Sequence, residues 1–218
     1  MEATAFLRLL QVFDSQFPVG AFVHSGGLET YAHLQFESEQ LRQLLLNQIR
    51  LGWGRLDLAA VCLAWRCFED QPALERLCNE LHAYKVIPGQ RSSSLRLGKR
   101  TMTLLNRLFP EDVRGCNIAL PHQAVVAGVF GRRVSMPERE LALGFTQSML
   151  SASLAAATRA MQLSPGQAQE ILTELQPRLI EQVDAVRRDP KQSLFSATAA
   201  LDVRCHQQTY LATRLFQS

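Results

Sequence analysis

Residues 38–68 read "SEQLRQLLLNQIRLGWGRLDLAAVCLAWRCF". Apolar side chains recur at Leu41, Leu44, Leu45, Ile49, Leu56, Val61, Ala64, Trp65 and Phe68, steps of three and four that line one side of a helix. A half-buried strand would alternate in twos, and runs of alternating β-branched residues are nearly absent from the chain. The spacing predicts one long helix, with Gly52 and Gly54 around Trp53 bending it or admitting a close neighbour.

The same period continues downstream. A second helix is expected from Gln71-Pro72 through Leu74, Leu77, Leu81 and Tyr84, stopped by the Pro88-Gly89 pair, and a third over about residues 91–108, ended by Pro110. "SMPE" at 135–138 and "SPGQ" at 164–167 both fit a capping box, in which a serine accepts from an early backbone N–H while Glu or Gln reaches back. The first leads through Leu141, Phe145, Ser148, Met149, Ala152 and Ala156, a small-residue face suited to close helix packing and self-association. The second leads through Ala168, Ile171, Leu172, Leu175, Leu179 and Val183, with Pro177 predicted to kink or divide it. "AVVAGVF" at 124–130 is read as helix in this company. The expected fold is all-α, a single helical domain of about eight to ten helices. Its core spans residues 1–190, and the charged, proline-broken "RRDPKQS" at 187–193 leads into a helical tail at 191–218 that is expected to bind a partner.

With 218 residues, 47% apolar and 20% charged, the chain can bury a sizeable core. The formal charge of +3 is spread without a run of Lys or Arg, so neither a nucleic acid nor a membrane is expected as partner. An acid at position 2, no basic leader and no long apolar window predict a cytoplasmic protein. Five cysteines, odd in number and without a CxxC, read as small buried hydrophobes in a reducing compartment.

Residues 14–29, "DSQFPVGAFVHSGGLE", carry the unusual chemistry. They are not a P-loop: Gly20 is followed five residues later by Ser25, and no lysine occurs before Lys85. His24 and Glu29 lack the further His or Cys that a metal site needs, so neither a metal nor a cofactor is expected here. The structural reading has Pro18 and Gly20 ending the first helix, Ser25 capping the next, and Glu29 in its first turn. Gly26 and Gly27 are then early helical positions bare enough for another backbone or a partner to approach. A helical enzyme with His24 as general base, oriented by Glu29 or Asp14, and a generic helical interaction module are the alternatives.

This stretch closely resembles the N-terminal motif of the urease accessory protein F (UreF) family, through Asp14, Ser15, Pro18, Gly20, Phe22, His24, Ser25, Gly27, Leu28 and Glu29. Arg91, Ser94 and Gly98 in "RSSSLRLGKR" are similar to the family's Arg-x-x-Ser-x-x-x-Gly helix, and the terminal "RLFQS", with Arg214, Leu215 and Phe216, to its ending. Gln217 departs from that ending, as does Gln208-Thr209 where many relatives carry His-Glu. The resemblance implies an all-α, homodimeric, cytoplasmic chaperone-like protein that is not an enzyme. Its implied partners are the accessory protein UreD/UreH, the GTPase UreG and apo-urease, and its implied role is to regulate GTP-dependent nickel insertion. Leu215 and Phe216 would then anchor in a groove of UreD/UreH, with Arg214 facing a carboxylate there.

Overall fold

The computed structural model describes residues 2–20, 27–33, 37–161, 163–207 and 210. Every regular element among them is helical: α1 Ala3–Val12, α2 Leu28–His33, α3 Ser38–Leu51, α4 Leu56–Arg66, α5 Gln71–Tyr84, α6 Pro88–Leu108, the short α7 Pro110–Val113, α8 Gln123–Arg133, α9 Glu138–Ala160, α10 Pro165–Arg188 and α11 Ala199–Gln207. Setting aside the four-residue α7, this matches the helical domain expected from the periodicity.

Two helices have almost no polar face. In α4 the residues Leu56 to Cys62 and Ala64 are all buried, and in α8 so is every residue from Ala124 to Gly131. Helices apolar on all sides must be enclosed, and α4 packs directly on α8 with α5, α6, α9 and α10 around the pair. Gly128 sets their separation, because a Cβ there would strike the Val61 carbonyl and stand 2.7 Å from the Ala64 Cβ. A ring of charge ties the shell together at one end. Arg66 on α4 donates to both carboxylate oxygens of Glu138 on α9 at 3.2 and 2.8 Å, and to the Arg187 carbonyl on α10 at 2.6 Å.

Several helix boundaries depart from the sequence reading. The long helix of 38–68 is broken into α3 and α4, since Gly54 turns back against the Ile49 backbone and leaves no room for a side chain. Pro88 and Gly89 do not merely stop α5; Pro88 opens α6 at its first position, where a missing N–H costs nothing. The expected capping box at 135–138 is absent. Ser135 instead closes α8: at φ +55° it donates to the Arg132 carbonyl while Met136 donates to the Gly131 carbonyl, a Schellman ending with serine in glycine's usual place. Pro137 then precedes α9 without a side-chain cap. At 164–167 both bonds of the box are present, and α10 runs through Pro177 undivided as 24 residues.

Beyond α10 the chain returns to the core. Leu194 is buried in the main apolar cluster, Ala197 donates to the Leu51 carbonyl at 2.9 Å, and the Arg55 guanidinium lies 3.9 Å above the Phe195 ring. α11 follows, packed on α2 and α6 with Leu201 buried. Among the described residues no helix is long and apolar enough to cross a membrane.

Replacing Gly128 with Ala is expected to destabilise the protein by about 1–3 kcal/mol through overpacking at the α4–α8 crossing. A urea midpoint equal to that of the wild type would show that the two helices do not meet there.

Candidate functional site

Arg91, Ser94 and Gly98 fall three, four and seven residues apart, which puts them on one face of α6. Each has a distinct task there. Arg91 donates from Nε to the Lys85 carbonyl at 2.9 Å and from a terminal nitrogen to the Val86 carbonyl at 3.3 Å, holding the turn that leaves α5. Ser94 Oγ is 3.0 Å from Nδ1 of His122. A Cβ at Gly98 would fall on the Pro121 carbonyl, so only glycine lets α6 lie flat on the segment that leads into α8.

Beneath this face lies a polar floor that the sequence reading missed. Lys85 Nζ sits 2.8 and 2.9 Å from the two carboxylate oxygens of Asp57, with the side chains only 9% and 11% exposed. His122 has no exposure at all, and its Nε2 is 3.3 Å from Nδ1 of the half-buried His82. A chain of polar contacts thus runs from His82 through His122 to Ser94. Burial, and next the nearby Lys85 ammonium, lower the His122 pKa to about 4, with Asp57 opposing them. The imidazole is therefore neutral near pH 7, donating through one nitrogen and accepting through the other. The one sequence signal for this floor is Asp57 itself, a charge set between Leu56 and Leu58 at the head of an apolar run.

The opening motif meets the same helix. Gly20, at φ +79°, lies where a Cβ would collide with the Arg100 guanidinium of α6, which donates to the Val19 carbonyl at 3.4 Å. Gly27 is not a helical position, as had been expected; at φ +90° it precedes α2, and a Cβ there would stand 2.6 Å from Sγ of Cys205 and 3.2 Å from Leu201 of α11. Leu28 and Glu29 are buried in the first turn of α2. Pro18 lies in the turn between α1 and Gly20, and not at a helix end, because α1 already stops at Val12. Phe22, His24, Ser25, Arg214, Leu215 and Phe216 are outside the described residues.

A cavity of about 330 Å³ opens between these parts, its wall including Val19, Leu28, Asp57, Lys85, Ser94 and Leu201. Gln48 also reaches it, with a buried Nε2 that has no hydrogen-bond partner among the described residues. Among the described residues no group of three His, Cys, Asp or Glu side chains is placed to hold a metal ion. The described residues of the 14–29 motif, the 91–98 motif and helix α11 come together around one cavity.

The UreF family profile matches residues 37–176, a stretch that includes Asp57, His82, Lys85, the α6 face and His122. The chain belongs to the UreF family. Among its relatives, the urease accessory protein UreF of Bacillus sp. (strain TB-90) is 28% identical over 97% of this chain and 98% of its own length. That of Pseudoalteromonas translucida is 29% identical over 98% of this chain and 94% of its own, and that of Mycolicibacterium vanbaalenii 31% identical over 80% and 82%. Within this UreF-family chain the Arg-x-x-Ser-x-x-x-Gly motif is accounted for by packing and polar contacts on a single helix face.

Because the folded His122 pKa is depressed below the ordinary 6.5, the unfolded chain takes up a proton that the folded chain refuses as the pH falls from 6.5 towards 4. Stability is full above that window and is expected to fall through it by up to ~1.4 kcal/mol per pH unit from this residue. Urea midpoints measured across the window for the wild type and for His122→Phe check this, the variant having the shallower slope. Equal slopes would mean that His122 protonates freely in the folded protein.

Proposed function

We propose that this chain is a urease accessory protein, not an enzyme, that acts in the cytoplasm as a homodimer. It assembles with UreD/UreH and the UreG GTPase and couples GTP turnover to nickel insertion into apo-urease. The observation that carries this reading is family membership, with relatives named urease accessory proteins aligned over nearly the whole chain. The site geometry supports it: its motif residues act through close backbone approach and through clamping of loops, the means of a protein that works by shaping a surface.

The corner around Gly27 serves to seat α2 against α11, and the residues that follow α11 carry Arg214, Leu215 and Phe216 to UreD/UreH. In this reading Leu215 and Phe216 each contribute on the order of 1–3 kcal/mol by burial in the partner. A chain ending at Gln207 keeps Leu194 and Leu201 in the core and loses only the anchoring segment. It should show the circular dichroism of the full protein yet fail to capture UreD/UreH or to support urease activation. Normal capture by a folded, truncated chain would sink the docking role of the C-terminal residues.

Gly27→Leu, which forces a branched side chain into a left-handed backbone pressed on Cys205, should impair urease activation more than His24→Ala does. The reverse order, together with weaker nickel uptake by His24→Ala in equilibrium dialysis, would restore a metal-binding role to the motif.

A further inference from the structure

α6 carries Arg91, Arg96, Lys99, Arg100 and Arg107 and no acidic residue in its 21 positions. At about 100° per residue, Arg96, Lys99, Arg100, Thr103 and Arg107 fall within roughly 100° of arc, opposite the buried Ser94, Leu97, Gly98, Thr101 and Leu105. All four cations of this stripe are exposed. None has a carboxylate within ion-pair distance among the described residues. Nine cations elsewhere in the chain, Arg8, Arg42, Arg66, Lys85, Arg114, Arg139, Arg178, Arg187 and Lys191, do reach an Asp or Glu. The stripe spans about 16 Å, three turns of helix.

The geometry points to this face of α6 as a docking surface for an acidic protein, one whose carboxylates recur at helical spacing. The inference rests on the proposed function only for the identity of the protein probes used below. Acidic residues three and four apart on a facing helix have Cβ atoms about 5–6 Å apart, the same register in which the cationic residues of the stripe recur. A single-stranded nucleic acid fits less well, because α6 offers no aromatic side chain on which bases could stack. An anionic membrane fits less well too, since the apolar side that would enter lipid is already in the protein core. Cations spaced three and four apart also explain why no basic run is visible in the sequence.

The test is the triple variant Arg96→Glu/Lys99→Glu/Arg107→Glu, which leaves Arg100 and its bond to Val19 in place. None of the three replaced side chains is in an ion pair or the core, and circular dichroism with a thermal melt should match the wild type. Association with UreG and with UreD/UreH is followed by stopped-flow at low and high salt. The wild type is expected to bind at least one of them with a rate that falls as salt rises, and the variant to associate about tenfold or more slowly with little salt dependence. Equal rates for both chains with both partners would overturn the docking surface while leaving the proposed function standing. If the wild type binds neither partner, it is the proposed function that fails. A synthetic helical peptide with Glu at i, i+4, i+7 and i+11 then decides the surface: binding lost in the variant supports it, and binding unchanged or absent overturns it. A loss confined to duplex DNA, to phosphatidylserine vesicles or to self-association in sedimentation would likewise overturn it.

Discussion

α4 and α8 approach so closely at Gly128 that a single added carbon would meet the Val61 carbonyl. Most of the architecture follows from that approach. Enclosing two helices with scarcely any polar surface requires neighbours on every side, and α5, α6, α9 and α10 provide them, with α3 packed in turn on α10. Their polar faces turn outward, where ion pairs such as Arg139–Asp184 are largely solvated and contribute little each. Glu138 is different. At 10% exposure it accepts from Arg66 on α4 and lies 3.4 Å from Nε of Arg187 on α10, so its charge ties the start of α9 to two other helices.

Among the described residues, this apolar centre admits the buried ion pair Asp57–Lys85 and the fully enclosed His122. Neither is favourable by itself: taking two charges out of water costs several kcal/mol, and their attraction roughly offsets that only where the geometry is good. Here both carboxylate oxygens receive the ammonium. What the pair supplies is location. Lys85 closes α5, Asp57 opens α4, and Arg91 holds the Lys85 carbonyl from α6, so three helix ends are fixed at one point by groups that tolerate no substitute position. His122 extends the constraint to the start of α8 through Ser94.

The helical class was legible because a three-to-four residue period needs nothing beyond the local chain. The boundaries that were misread depend on what lies before them. Ser135 looks like an N-cap to α9 only as long as the end of α8 is unknown, and Pro88 looks like a stop only as long as α6 is thought to begin later. At the site, Arg91, Ser94 and Gly98 were visible as a motif, but their partners were not: His122 and Pro121 come from a connecting segment more than twenty residues away, which no periodicity registers. Asp57 stands out as a charge within an apolar stretch, while nothing in the sequence around Lys85, 28 positions on, marks it as the counter-ion. Two adjacent glycines before a helical pattern give no hint of the left-handed backbone at Gly27; the need for it comes from Cys205 and Leu201, near the other end of the chain.

α6 joins the buried floor to the exposed cationic stripe, and that connection determines what kind of surface the stripe can be. Arg91 and Ser94 secure one side of the helix to the Lys85 turn and to His122, and Gly98 presses it onto Pro121 with no side chain between. Moving α6 would break the Arg91 bonds to the Lys85 and Val86 carbonyls and the Ser94–His122 contact, and each buried polar group left without a partner costs about 1–3 kcal/mol. Rim charges of the kind carried by Arg96 and Lys99 chiefly speed encounter and set register, and release too little free energy to offset that loss. The helix therefore meets an acidic partner as a rigid, preformed row of cations. Its contribution to binding lies in the ordering cost it avoids, and any conformational change on assembly has to be taken up by other parts of the chain or by the partner.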